Sequence, residues 1–173
     1  MINKIQFVDL HHQYLDNKKS FDLAIKKTIK NTDFINGKSV REFEYNFKKK
    51  LNVKYCVSLN NGTDSLYVAM KALGLKRGQE VITTSHSWIS SSSMISLAGG
   101  KAVFCDTDRK TFNISVSDIE KKINKKTAGI IAVHLFGQPC DIDKIVYICK
   151  KKNIWLIEDC AQSHFSKSNI FQP

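Results

Sequence analysis

Proline is almost missing from this chain. Its two occurrences are Pro139 and Pro173, so no proline-rich linker or hinge divides the sequence. There is no run of about 18 apolar residues, which excludes a membrane-spanning helix. Met1-Ile2-Asn3-Lys4-Ile5 passes straight into polar sequence. It lacks the apolar core and small-residue cleavage site of a secretory signal, so a cytoplasmic location is expected. Internal repeats and low-complexity stretches are absent too. The cysteines (Cys56, Cys105, Cys140, Cys149 and Cys160) are odd in number and contain no C-x-x-C pair, which speaks against a disulfide framework. No Cys/His set has the spacing of a zinc site, and no metal is expected. Cys56, Cys105 and Cys160 lie in or beside apolar runs and read as reduced, mostly buried thiols.

What is present fits an ordinary globular chain. Its 173 residues are 42% hydrophobic and 25% charged, enough for one domain with a sizeable core. The net charge of +11 raises the question of a nucleic-acid partner. The lysines, however, are scattered or sit late in expected helices, at Lys48-Lys49-Lys50, Lys121-Lys122 and Lys150-Lys151-Lys152. There they suit the helix dipole and form a solvated face. No nucleic-acid-binding motif accompanies them, so no nucleic-acid partner is expected.

Residues 1–50 read as a mostly helical arm with a break at Asn36-Gly37. Val40, Phe43, Phe47 and Leu51 recur at helical spacing. From Lys54 the pattern alternates. Strands are expected at Tyr55-Cys56-Val57-Ser58-Leu59, Val81–Thr84, Ala102–Cys105, Gly129–Val133 and Ile154–Ile157. Helices are expected between them, near 64–73, 88–98, 115–123 and 141–151. This alternation predicts a three-layer αβα sandwich of class α/β, with a mainly parallel sheet of about five strands. In such sheets ligands bind beyond the carboxyl ends of the strands, so the residues there carry the interest.

After the first expected strand comes Asn60-Asn61-Gly62-Thr63-Asp64. Gly62 admits close backbone approach, and the free amides of a helix start suit a phosphate. An ordinary capped turn reads the same way. Trp88, after the second strand, can stack on a flat ring or join the core. Glu158-Asp159 closes a buried strand, so these acids need partners or water. A carboxylate there can hold a protonated ring nitrogen or simply cap the next turn. His134 and His164 fit hydrogen-bonded structural roles better than catalytic ones.

Taken in order, the pieces resemble the DegT/DnrJ/EryC1/StrS family of sugar aminotransferases that use pyridoxal phosphate (PLP). They include Phe7-Val8-Asp9-Leu10, Phe34-Ile35-Asn36-Gly37, Asn61-Gly62-Thr63-Asp64-Ser65-Leu66 and Gly78-Gln79-Glu80-Val81-Ile82. The later pieces are Val133-His134-Leu135-Phe136-Gly137-Gln138-Pro139 and Ile157-Glu158-Asp159-Cys160-Ala161-Gln162-Ser163-His164. Each is weak alone; their succession is specific.

The resemblance implies the truncated large domain of a fold-type-I PLP enzyme. It also implies amino transfer from glutamate or glutamine to a nucleotide-linked keto sugar, in a homodimer. Gly62 and Thr63 match the phosphate cradle, Trp88 the aromatic that stacks on the cofactor ring, Asp159 the partner of the ring nitrogen, and Gln162 a side chain near the ring hydroxyl. Residues 1–50 would be the arm and 51–173 an incomplete PLP-binding domain. The carboxyl-terminal small domain is expected to be absent. The family's Schiff-base lysine follows in a later loop that has no counterpart here, and Lys167 lacks its context. The chain alone is therefore expected to be inactive and to bind PLP weakly or not at all. The competing expectation is a non-catalytic interaction module that pairs with a full-length homologue or a separate carboxyl-terminal chain.

Overall fold

The computed structural model describes residues 6–168. The first five residues of the expected arm and residues 169–173 lie outside the described residues. Two units separate after Ser58.

In the first unit, α1 spans Leu10–Lys30 and α2 spans Lys38–Leu51. Asp9 starts α1 by accepting the His12 amide at 2.9 Å, which satisfies one of the orphan donors of a helix start. The break expected at Asn36-Gly37 is present. Asn36 has φ 47°, and a Cβ on Gly37 would sit 2.2 Å from the Asp33 carboxylate. That carboxylate accepts the Lys38 amide at 2.7 Å, just where α2 begins. Asn52 then ends α2 in the left-handed region, which asparagine tolerates. Neither helix holds a fully buried residue.

The strand expected at Tyr55–Leu59 does not form. The segment joins no ladder among the described residues. Tyr55 is 74% and Val57 76% exposed. Its β-branched and aromatic residues are those of a strand. A strand, however, is stabilised by cross-strand pairs, which local propensity cannot supply.

The second unit is an αβα sandwich. Its strands are β1 (Glu80–Thr84), β2 (Lys101–Cys105), β3 (Thr127–Val133) and β4 (Trp155–Asp159). All pair in parallel, in the order β2-β1-β3-β4. The sheet thus has four strands instead of the expected five. One face carries α3 (Gly62–Ala72) and α4 (Ser90–Leu97), where Leu66, Met70 and Ile95 meet Val81, Ile131 and Val133. The other carries α5 (Val116–Lys122) and α6 (Ile142–Lys152), where Ile119, Ile145 and Ile148 meet Ile82, Ile130 and Ala132. Successive side chains of a strand point to opposite faces. That is why Ile130 and Ile131 enter different cores and why the strands read as continuous apolar runs.

Close packing appears at Gly129. A Cβ there would lie 2.0 Å from the Trp155 ring, so glycine lets the indole of β4 cover β3. The strand order runs outward from β1 to β2 and from β3 to β4, which puts a topological switch point between β1 and β3. Ligands of open α/β sheets bind at the carboxyl side of such a point.

Candidate functional site

Because the four strands are parallel, their carboxyl ends share one edge, and every expected site residue of this unit follows one of them or starts a helix beside them. Asn61 caps α3 and accepts the Asp64 amide at 2.8 Å. A helix leaves its first amides without intrahelical partners; here those of Gly62 and Thr63 remain. Nothing lies within 4 Å of a Cβ placed on Gly62, so a ligand has open access to that backbone. Asp64 would repel an anion, but its carboxylate is occupied by the side-chain amides of Asn60 and Asn61. The Thr63 hydroxyl lies 2.8 Å from that of Ser90, which links the starts of α3 and α4.

Trp88 lies in the turn between β1 and α4 and is 77% exposed. It is not a core residue; its indole is available to a flat partner. Asp159 ends β4 and is half-buried. Trp155 and Ile157 pack into the α3/α4 core, so strand alternation assigns Asp159 to that same face. One of its oxygens accepts the Ala161 amide at 3.1 Å. Gln162, exposed, accepts the Phe136 amide at 2.8 Å. Its neighbour Ser163 has a buried hydroxyl without a partner among the described residues.

The two histidines differ. Glu158 alternates to the other face, and its carboxylate lies 3.0 Å from His134 Nε2. His134 Nδ1 accepts the Cys140 amide at 2.9 Å. Burial opposes charging of the ring, while the thiols of Cys140 and Cys160 and the Glu158 carboxylate pull its pKa upward. The Cys140 amide decides the matter: an imidazolium would aim a second proton at that N–H. The ring is neutral, with its proton on Nε2 toward Glu158. Both nitrogens are therefore committed to structure. His164 is exposed. Of the thiols expected to be buried, Cys105 is buried, Cys56 is half-buried and Cys160 is exposed, because β4 has already ended before it.

Sequence reasoning missed His86, Phe112 and Phe136. His86 follows β1, Phe112 lies beyond β2, and Phe136 follows β3. The His86 ring centroid is 6.2 Å from that of Phe112 and 6.1 Å from that of Phe136, both edge-on. No motif spacing joins positions 86, 112 and 136; only the parallel sheet brings them together. Asn113 was missed as well. It is buried and ties the loop after β2 to the loop after β3.

Among the described residues no helix is long and apolar enough to cross a membrane. The family model described as the DegT/DnrJ/EryC1/StrS aminotransferase family matches residues 15–169. GDP-perosamine synthase of Escherichia coli O157:H7 is 42% identical over 131 residues, which cover 76% of this chain and 36% of that protein. The dTDP-3-amino-3,6-dideoxy-alpha-D-galactopyranose transaminase of Aneurinibacillus thermoaerophilus is 38% identical over 160 residues, covering 92% of this chain and 44% of that one. The solved structure of NtdA from Bacillus subtilis, with its cofactor PMP bound, superposes with a TM-score of 0.91 at 26% identity. It covers 98% of this chain and 39% of that one. The chain thus spans less than half the length of these relatives.

Proposed function

Because this chain belongs to the DegT/DnrJ/EryC1/StrS aminotransferase family, whose cofactor is pyridoxal phosphate, we propose that its residues orient that cofactor in an aminotransferase of nucleotide-linked keto sugars. The reading is supported by Trp88, Asp159 and Gln162 lying at or just after the carboxyl ends of strands of one parallel sheet, and by Thr63, at the start of α3, lying 2.8 Å from Ser90 at the start of α4. Relatives named for GDP- and dTDP-linked sugars support the substrate class. Glutamate or glutamine as amino donor, the homodimer and the cytoplasmic location belong to the same proposal. So does the division into an arm at 1–50 and a cofactor-binding domain from 51.

The residues fit the group. The open backbone at Gly62 and the two free amides of α3 form an anion seat, and the dipole of the helix favours negative charge there. The Thr63 hydroxyl adds a donor. Asp159 supplies a carboxylate that would hold a proton on the cofactor's ring nitrogen, since an opposite charge stabilises the protonated base. Trp88 offers a planar face. Gln162 offers amide hydrogens while its oxygen is engaged with Phe136. When bound, the cofactor supplies the electron sink of amino transfer; orientation and the fixed proton are what these side chains contribute.

The test is a titration of the purified 173-residue chain with PLP, followed by quenching of tryptophan emission. Quenching should be weak, approaching saturation only at high PLP concentration, and Asp159→Asn and Thr63→Val should each weaken it further. Equal quenching in wild type and Asp159→Asn would sink the assignment. Amino transfer itself is proposed of the whole protein. It is assayed with glutamate or glutamine and a nucleotide-linked keto sugar, the chain being tested alone and together with the carboxyl-terminal segment of a relative.

A further inference from the structure

Left-handed backbone is costly for a residue with a Cβ, and asparagine bears it best. Asn36, Asn52 and Asn153 follow that rule. Thr32, Phe165, Phe112 (φ 59°) and Phe136 (φ 55°) do not, and of these Phe112 and Phe136 both pack against one histidine, His86. Strain of this kind persists only where the surroundings impose it, and it gathers at ligand sites.

The surroundings do impose it. Phe136 is held by Gln162 at its own amide, and the adjacent Gly137 carbonyl accepts the Ser166 hydroxyl at 2.9 Å. Asn113 fixes Leu135 and Gln138 on either side. Phe112 donates its amide to the Asp108 carbonyl at 2.8 Å. Yet the rings themselves stay in solvent: Phe112 is 53% and Phe136 73% exposed. Core packing does not account for them. Both rings meet the exposed His86 between them. The Phe112 carbonyl can only accept, so His86 Nδ1 donates to it, at 3.3 Å. In the tautomer with its proton on Nδ1, Nε2 is an acceptor. His86 and Phe136 follow β1 and β3, the two strands of the switch point, where this fold places ligands.

We propose that His86, Phe112 and Phe136 form a platform for the sugar ring of the nucleotide-linked substrate. The phenyl faces would take its C–H-bearing side, and His86 Nε2 would accept one of its hydroxyls. This rests on the function proposed above and deepens it by naming what receives the sugar. Aromatic faces beside one hydrogen-bond acceptor suit a pyranose, which is apolar across its ring and polar at its rim. Gln162 couples the platform to the cofactor site, because its oxygen holds the Phe136 backbone.

The experiment uses saturation-transfer NMR on the full 173-residue chain, with GDP-mannose and dTDP-glucose as probes and GDP and dTDP as controls. In the wild type the hexose C–H protons should receive saturation. Phe112→Gly and Phe136→Gly remove the rings and also relieve the backbone. They should melt at or above the wild-type temperature, yet lose hexose saturation and weaken binding roughly five- to tenfold. His86→Phe, which keeps an aromatic ring but no acceptor, should weaken binding about threefold or more. Three results would overturn the proposal: no hexose saturation in the wild type, unchanged saturation in the glycine variants, or glycine variants that melt several degrees lower. The last would make the rings structural. PLP quenching of tryptophan is recorded on the same samples. Its loss in the wild type removes the cofactor reading, whereas intact quenching without hexose contact removes only the platform.

Discussion

The buried Asn113 accepts the Leu135 amide through its side-chain oxygen at 3.1 Å and gives its side-chain amide to the neighbouring Gln138 carbonyl. One side chain from the loop after β2 thus satisfies both ends of the kinked turn after β3. Replacing it with alanine leaves the Leu135 N–H without a partner. Asn113→Ala should cost roughly 1–3 kcal/mol, read by urea denaturation of the whole chain. Asn113→Asp keeps the acceptor but loses the donor and buries a charge, so it should not restore stability. A loss under about 0.5 kcal/mol in Asn113→Ala, the range of ordinary surface changes, would mean that the turn does not depend on this bridge.

Gly129 predicts a second loss. Its missing side chain is what allows the Trp155 ring to cover β3. In Gly129→Ala the new methyl overlaps that ring, and indole or strand must shift, at about 1–3 kcal/mol. The double variant Gly129→Ala/Trp155→Leu should recover part of this, since the smaller side chain leaves room. Additive losses in a double-mutant cycle would contradict the contact.

Asp118 predicts the acid limb of stability. The Asp106 amide and then the Lys122 ammonium hold its carboxyl below the usual value. A group with a depressed folded pKa contributes stability that is present above its unfolded pKa and lost as pH falls through the folded one. The unit should therefore lose stability below about pH 4, and Asp118→Asn should flatten that slope. Lys122 has the opposite sign. The hydrogen bond to Asp118 raises its pKa, so its contribution is complete below the unfolded lysine value and fades only as pH rises through the folded one. Melting temperature against pH for the wild type and Asp118→Asn measures the two limbs.

The cysteines should separate by reactivity. Burial pushes the Cys105 thiol up to about 12 and the Cys149 thiol up to about 11, so neither supplies thiolate near neutrality. Cys160 is exposed. Brief alkylation with iodoacetamide at pH 8, mapped by mass spectrometry, should label Cys160 first and Cys105 and Cys149 only after denaturation, because the thiolate is the nucleophile. Early labelling of Cys105 would mean that the cleft under α5 opens in solution.

Much of the second unit was legible because its signals are local. Apolar runs of four or five residues give strands, and 3.6-residue periodicity gives the helices between them; the caps of α3 and α5, Asn61 and Ser115, were seen only in the structure. The resemblance pointed to Gly62, Thr63, Trp88, Asp159 and Gln162, and the parallel order of strands put them along one edge. Tyr55–Leu59 misled because strand propensity is a statement about neighbours, and the segment has no ladder partner among the described residues. Cys160 misled because an apolar run says nothing about the turn just beyond it.

The sequence by itself determined the alternation of helix and strand, the two apolar faces of every strand and the break before α2, since these follow from side-chain periodicity and backbone conformational preference. Tertiary structure alone decided which strand lies beside which. With that, it set the switch point between β1 and β3, the neutral His134 clamped between Cys140 and Glu158, and the meeting of His86 with Phe112 and Phe136. Apart from His134 and Cys140, those relationships join residues 24 to 50 positions apart. They exist only after the loop-closure entropy between them has been offset by burial of the cores beneath.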